Sequence, residues 1–158
     1  SLLCAACASE APPCPLPQAS SAAPSAGCFA VRDGKLLLVE GLNGRVSLPG
    51  GSSLPGEAAE CTAFRETWEE TGLYLYPREL LAVFPTGFYA YRCEFGEDSG
   101  EIDPPARMEV RRALYLAPEQ FDDYEWRFAN QVETVRELHA RVSAYGTAAP
   151  GASADTGL

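Results

Sequence analysis

Three glutamates stand close together, Glu69 and Glu70 lying three and four residues after Glu66. In a helix advancing about 100° per residue they share one arc of roughly 100°, so their carboxylates converge on a single face. Like charges in this arrangement repel by about 0.2–0.5 kcal/mol per pair, and something should offset that. A hard divalent cation is the natural offset, because Mg²⁺ takes a few carboxylate oxygens and completes its shell with water and phosphate oxygens. The competing reading is a solvated acidic face tied to Arg65. On the same wheel Ala59 and Ala63 fall on the acid side, leaving room for an approach to the backbone, while Cys61, Phe64 and Trp68 cluster opposite.

The surrounding residues decide between the two readings. The stretch runs Gly51, five residues, Glu57, seven residues, then Arg65-Glu66-Thr67-x-Glu69-Glu70-x-Gly72-Leu73. It resembles the Nudix box, G-x5-E-x7-R-E-U-x-E-E-x-G-U with U a bulky aliphatic, and every fixed letter is present. Only Thr67 departs. Being β-branched and half apolar, it predicts a small packing change and no loss of chemistry.

The resemblance implies a Nudix-type α/β/α sandwich with a mixed β-sheet. It also implies hydrolysis of a nucleoside diphosphate linked to another moiety, with Mg²⁺ as cofactor and Mn²⁺ as substitute. Glu66, Glu69, Glu70 and the Gly50 carbonyl then become metal ligands, and Gly51, Glu57, Arg65 and Gly72 support the box. Water attacks phosphorus, its proton going to Glu69 or Glu70 within the box or to Glu109 or Glu101 outside it, with Glu109 preferred. Tyr89 stands sixteen residues after the box, where diadenosine polyphosphate hydrolases of the family tend to place a tyrosine. Tyr89, Tyr91, Phe88 and Trp126 are candidates to stack a base, and Arg107, Arg111, Arg112 and Arg127 to hold distal phosphates; Tyr89, Tyr91 and Arg111 are the leading substrate-binding candidates. The rival reading is a non-catalytic Nudix-like nucleotide-binding or regulatory domain, against which the full set of acids argues.

Several elements must position these residues. "GCFAVRDGKLLLVE" (27–40) gives two β-rich runs around Asp33-Gly34, a strong hairpin signal. Asn43-Gly44 marks a second turn. Pro55 and Glu57 mark a helix start, and Gly72 its end. Residues 79–84, 87–95 and 108–116 read as strands, 97–105 as a polar loop and "APEQF" as a short helical turn. Segment 129–144 places Val132, Val135, Leu138 and Val142 on one helical stripe, ended by Gly146. Strands, a helix, more strands and a closing helix predict a layered α/β domain over 26–145, between a leader or extended arm (1–25) and a flexible tail (146–158).

The chain has 158 residues and a net charge of −10, which disfavours a nucleic-acid duplex or an anionic membrane as direct partner. No apolar run approaches the about 20 residues that cross a bilayer, so no integral membrane segment is expected. The partner expected is a small nucleotide diphosphate derivative, and the protein a monomer or homodimer. Ala6-Cys7-Ala8 resembles the cleavage site of a secretory leader, and six cysteines suit an oxidising compartment; a periplasmic or exported protein is favoured over a cytoplasmic one. The expected disulfides are Cys14–Cys28 and Cys61–Cys93, against buried free thiols. Cys4-x-x-Cys7 is spaced as half a zinc site but has no second pair, and the sole histidine, His139, lies far away.

Overall fold

The run Leu36-Leu37-Leu38-Val39 does not alternate, the mark of a strand covered on both faces. In the computed structural model, which describes residues 10–105 and 109–145, all four are buried. The strands are β1 (Ser25–Phe29), β2 (Val31–Arg32), β3 (Lys35–Gly41), β4 (Val46–Ser47), β5 (Gly50–Ser52), β6 (Leu75–Val83), β7 (Phe88–Phe95) and β8 (Val110–Leu116); the helices are α1 (Ala59–Thr71) and α2 (Val132–Tyr145). Asp33 and Gly34 both take positive φ (52° and 74°) and join β2 to β3, as the dipeptide predicts.

One mixed sheet has the order β5-β1-β7-β6, with β1 and β7 parallel and the outer pairs antiparallel. A second, antiparallel sheet has the order β2-β3-β4, with β8 also on β3. Alternation along the strands divides the core in two. Ala26, Cys28, Leu37, Tyr91 and Cys93 face α1 and pack with Ala59 and Ala63. Phe29, Leu36, Leu38, Phe84 and Phe121 face the other way and pack with Val135 and Leu138 of α2. Each fully buried Leu, Val or Phe here contributes about 1.5–3 kcal/mol. The result is an α/β/α sandwich, and the Val132, Val135, Leu138, Val142 stripe is the packing face of α2.

Several expectations need correction. The first turn of α1 excludes Glu57: a turn closed by the Glu57 N–H on the Leu54 carbonyl (3.0 Å), with Gly56 at φ 76°, delays the helix to Ala59. Ala59 and Ala63 lie on the core side and are fully buried, so they leave no approach to the backbone. β6 begins at Leu75, four residues before the expected strand, and passes Pro77 with register shifts on either side of Leu80. The disulfides are Cys14–Cys61 and Cys28–Cys93, not the expected pairs. Parallel pairing of β1 with β7 brings Cys28 beside Cys93, and residues 10–24 run past α1 so that Cys14 meets Cys61. Cys4, Cys7, Ala6, Ala8, Arg107, Gly146 and the tail lie outside the described residues.

His139 is a buried member of α2, its Nε2 2.8 Å from the Gly34 carbonyl. Among the described residues no helix is long and apolar enough to cross a membrane. The two disulfides suit an oxidising environment.

Candidate active site

Arg65 is the hub of the acidic cluster. Its Nε and Nη2 grip the two carboxylate oxygens of Glu57 at 2.8 and 3.0 Å, and Nη2 also donates to the Ser52 carbonyl at 3.0 Å. Its Nη1 donates to Glu66 at 2.8 Å and lies 3.3 Å from a Glu69 oxygen. Thr62 adds a hydroxyl to Glu57. One guanidinium therefore fastens β5, the loop before the helix and two of the three box acids, a job its fork of donors suits.

The third acid, Glu70, turns to β5, where its carboxylate accepts the Gly50 N–H at 2.8 Å. Glu66 comes so near the strand that a Cβ on Gly51 would lie 2.5 Å from its carboxylate; only glycine allows this approach. At the other end of α1, Gly72 takes the left-handed conformation (φ 76°) and donates its N–H to the Trp68 carbonyl at 2.7 Å. A side chain at Gly72 would strike the Asp103 backbone.

Burial, countered in part by the Gly50 N–H, pushes the Glu70 carboxyl up to about 8, with the charges of Glu66 and Glu109 adding to the shift and Arg127 opposing it. Burial also raises Glu66, where Arg65 opposes and Glu69 and Glu109 reinforce the shift. Glu109, exposed at the head of β8, thus stands within electrostatic reach of two box acids. Among the described residues no three Asp, Glu, His or Cys side chains form a ready-made cage for an ion. The box acids share the expected helix face but turn to Arg65 and to the Gly50 N–H. Their chemistry still fits a hard cation: clustered carboxylates whose charge is costly in its absence.

A cavity of about 230 Å³ opens on the other side of β5, lined by Gly50, Gly51 and Ser52 and by Phe84, Phe88, Trp126, Arg127, Phe128 and Gln131. The Trp126 indole is pinned by its Nε1–H on the Phe121 carbonyl (2.9 Å), and the Arg127 guanidinium lies 5.2 Å from the Phe128 ring centre. Of the proposed base-stacking residues, Phe88 and Trp126 line this cavity. Tyr89 and Tyr91 do not: the pleat turns them to the α1 side, where Tyr91 is buried in the core. Arg111 is also elsewhere, reaching Glu40 (3.1 Å) and the Leu42 carbonyl (3.3 Å), while Arg112 holds the other Glu40 oxygen at 2.6 Å. Phe84, Phe128 and Gln131 went unread in the sequence. The aromatic-cation-aromatic run Trp126-Arg127-Phe128 just before the last helix was the available signal.

The NUDIX domain family matches residues 22–142, a span holding the box, both sheets and nearly all of α2. The chain belongs to this family. By family and fold it is a Nudix hydrolase, and members of this family generally use divalent metal ions. Three solved structures are similar. A UDP-X diphosphatase is 23% identical with a TM-score of 0.64 over 82% of this chain and 68% of that one. An ADP-ribose pyrophosphatase from Streptococcus suis is 20% identical with a TM-score of 0.63 over 75% and 90%. An Ap4A hydrolase from C. elegans is 18% identical with a TM-score of 0.60 over 76% and 98%. At these identities the likeness is one of fold. No curated relative matches the Nudix chain significantly.

Proposed function

We propose that this Nudix hydrolase cleaves the diphosphate linkage of a nucleoside diphosphate joined to another moiety, by attack of water on phosphorus. The observation that carries the reading is the double role of β5. Gly50, Gly51 and Ser52 line the cavity, and the same residues meet Glu70, Glu66 and Arg65. A planar base seated against Phe88 and Trp126 therefore has its diphosphate carried over β5 toward the acids, with Arg127 beside the path to take phosphate charge.

Glu66, Glu69, Glu70 and the Gly50 carbonyl would hold Mg²⁺, or Mn²⁺ in its place. When bound, the cation neutralises the diphosphate and lowers the pKa of a water. Arg65 keeps the Glu66 and Glu69 carboxylates on the helix face, where they would be available to the ion. Glu109 accepts the proton of the attacking water, a role supported by the reach of its charge to Glu66 and Glu70. The new P–O bond forms as the bridging P–O bond breaks, giving two phosphate-bearing products. The paired disulfides favour an exported or periplasmic setting for this chemistry.

A panel of nucleotide diphosphate derivatives incubated with Mg²⁺ and followed by ³¹P NMR tests the reading. New phosphate resonances are expected, with label from H₂¹⁸O on one product. Shifted resonances without new ones would instead favour a nucleotide sensor.

A further inference from the structure

Ala58 enters α1 with no side-chain cap, and the N–H groups of a helix's first turn, lacking partners within the helix, need acceptors. The arm supplies one: the Ser21 carbonyl takes the Ala59 N–H at 2.7 Å. Ser21 also holds Glu60 in the same turn, through its hydroxyl at 2.7 Å and its N–H at 3.3 Å. Three residues on, the Pro24 carbonyl accepts the Ser53 N–H at 3.0 Å, tying the arm to the loop that follows β5. Cys14, at the head of this segment, is bonded to Cys61 of α1. Next to Cys61, Thr62 donates to Glu57, whose carboxylate Arg65 grips. A continuous set of contacts thus runs from the Cys14–Cys61 bridge to the acids.

The two disulfides differ in access. Cys28 and Cys93 are 0% and 5% exposed, whereas Cys14 is exposed and Cys61 half-buried. Thiol–disulfide exchange requires a thiolate to reach a sulfur, so of these two bridges the arm bridge is the one open to it in the folded protein.

We propose that Ser21 is a positioning residue for the acidic helix and that the Cys14–Cys61 bridge is a redox latch on it. A dithiol reductant in the surroundings opens the latch: its thiolate attacks one sulfur, its second thiol resolves the mixed disulfide, and Cys14 and Cys61 leave as thiols while the reductant becomes a cyclic disulfide. The arm then lifts Ser21 from the helix start, and the Glu57–Arg65 brace loosens with it. The catalytic consequence rests on the hydrolase reading; the structural one does not.

The full chain is treated with a dithiol under native conditions, with peptide mapping to show which bridge opens, and amide exchange at residues 59–62 is compared before and after. Exchange is expected to rise roughly fivefold or more, the scale of a lost helix cap, and to revert on reoxidation. A Cys14→Ser, Cys61→Ser double variant should exchange quickly in either state. In the reduced protein the metal concentration for half-maximal activity should rise several-fold, with kcat at saturating metal little changed. Unaltered exchange after verified opening of Cys14–Cys61 overturns the proposal, as does selective opening of Cys28–Cys93. So does a lowered melting temperature with unaltered exchange and metal requirement, which would make the bridge a plain staple. If no nucleotide is turned over, exchange alone decides the latch.

Discussion

Glu70 accepts the Gly50 N–H, and a glutamine carbonyl can accept the same bond. Glu70→Gln should therefore keep its place and its fold while losing a negative charge where the metal is held. Turnover is expected to fall by about 10²–10⁴-fold, read from ³¹P NMR initial rates, with the melting temperature held or raised. Gly51→Ala should behave differently. Its new methyl would collide with the Glu66 carboxylate, so it should cost about 1–3 kcal/mol in urea unfolding and weaken activity together. Thr67, which breaks the aliphatic pattern of the box, is fully buried and its hydroxyl lacks a hydrogen-bond partner. Thr67→Val should stabilise the protein by about 1 kcal/mol, visible as a rise of about 2–4 °C in melting temperature. The identities of the box residues were legible from spacing alone. That Arg65 serves four partners and that the Thr67 hydroxyl has none were not, because hydrogen bonding across β5 depends on which strand lies beside the helix.

At the scale of elements, strongly patterned segments were legible and their edges were not. The closing helix, the Asp33-Gly34 hairpin and β7 were read from periodicity and turn chemistry. The start of α1 was misread because Glu57 looks like a first-turn acid, whereas Gly56 makes a turn and sends Glu57 back onto Arg65. Pro77 hid the beginning of β6, since proline argues against a strand unless the ladder shifts around it, as here. Between β3 and β8, Glu40 is clamped by two arginines. Its hydrogen bond to Arg112, with the charges of Arg112 and Arg111, outweighs burial and holds it below the usual carboxylate range. A depressed folded pKa adds stability that is complete above the unfolded value and disappears as pH falls through the folded one. Glu40→Gln should therefore cost more stability at about pH 7 than below about pH 4, where falling pH has begun to remove the clamp's contribution; denaturant titrations on either side of that pH check the sign.

For the molecule as a whole, the net charge of −10 and the shared helix face of three carboxylates make cation uptake the central expectation. A divalent ion that binds only the folded state stabilises it by mass action, about 2.7 kcal/mol at a hundredfold excess over Kd. Mg²⁺ should raise the melting temperature where sodium at matched ionic strength does not, and Glu70→Gln should blunt the rise. The architecture was legible as a sandwich, but strand order was not, and with it went the placement of Tyr91, Arg111 and the four bridged cysteines among the described residues. That order has a consequence for biogenesis. Native bridges join the first of these cysteines to the third and the second to the fourth, since β1 waits for β7 to be made before its parallel edge is filled. Cys14 and Cys28 are made well before Cys61 and Cys93, so neither of these bridges can close until its downstream partner has been synthesised.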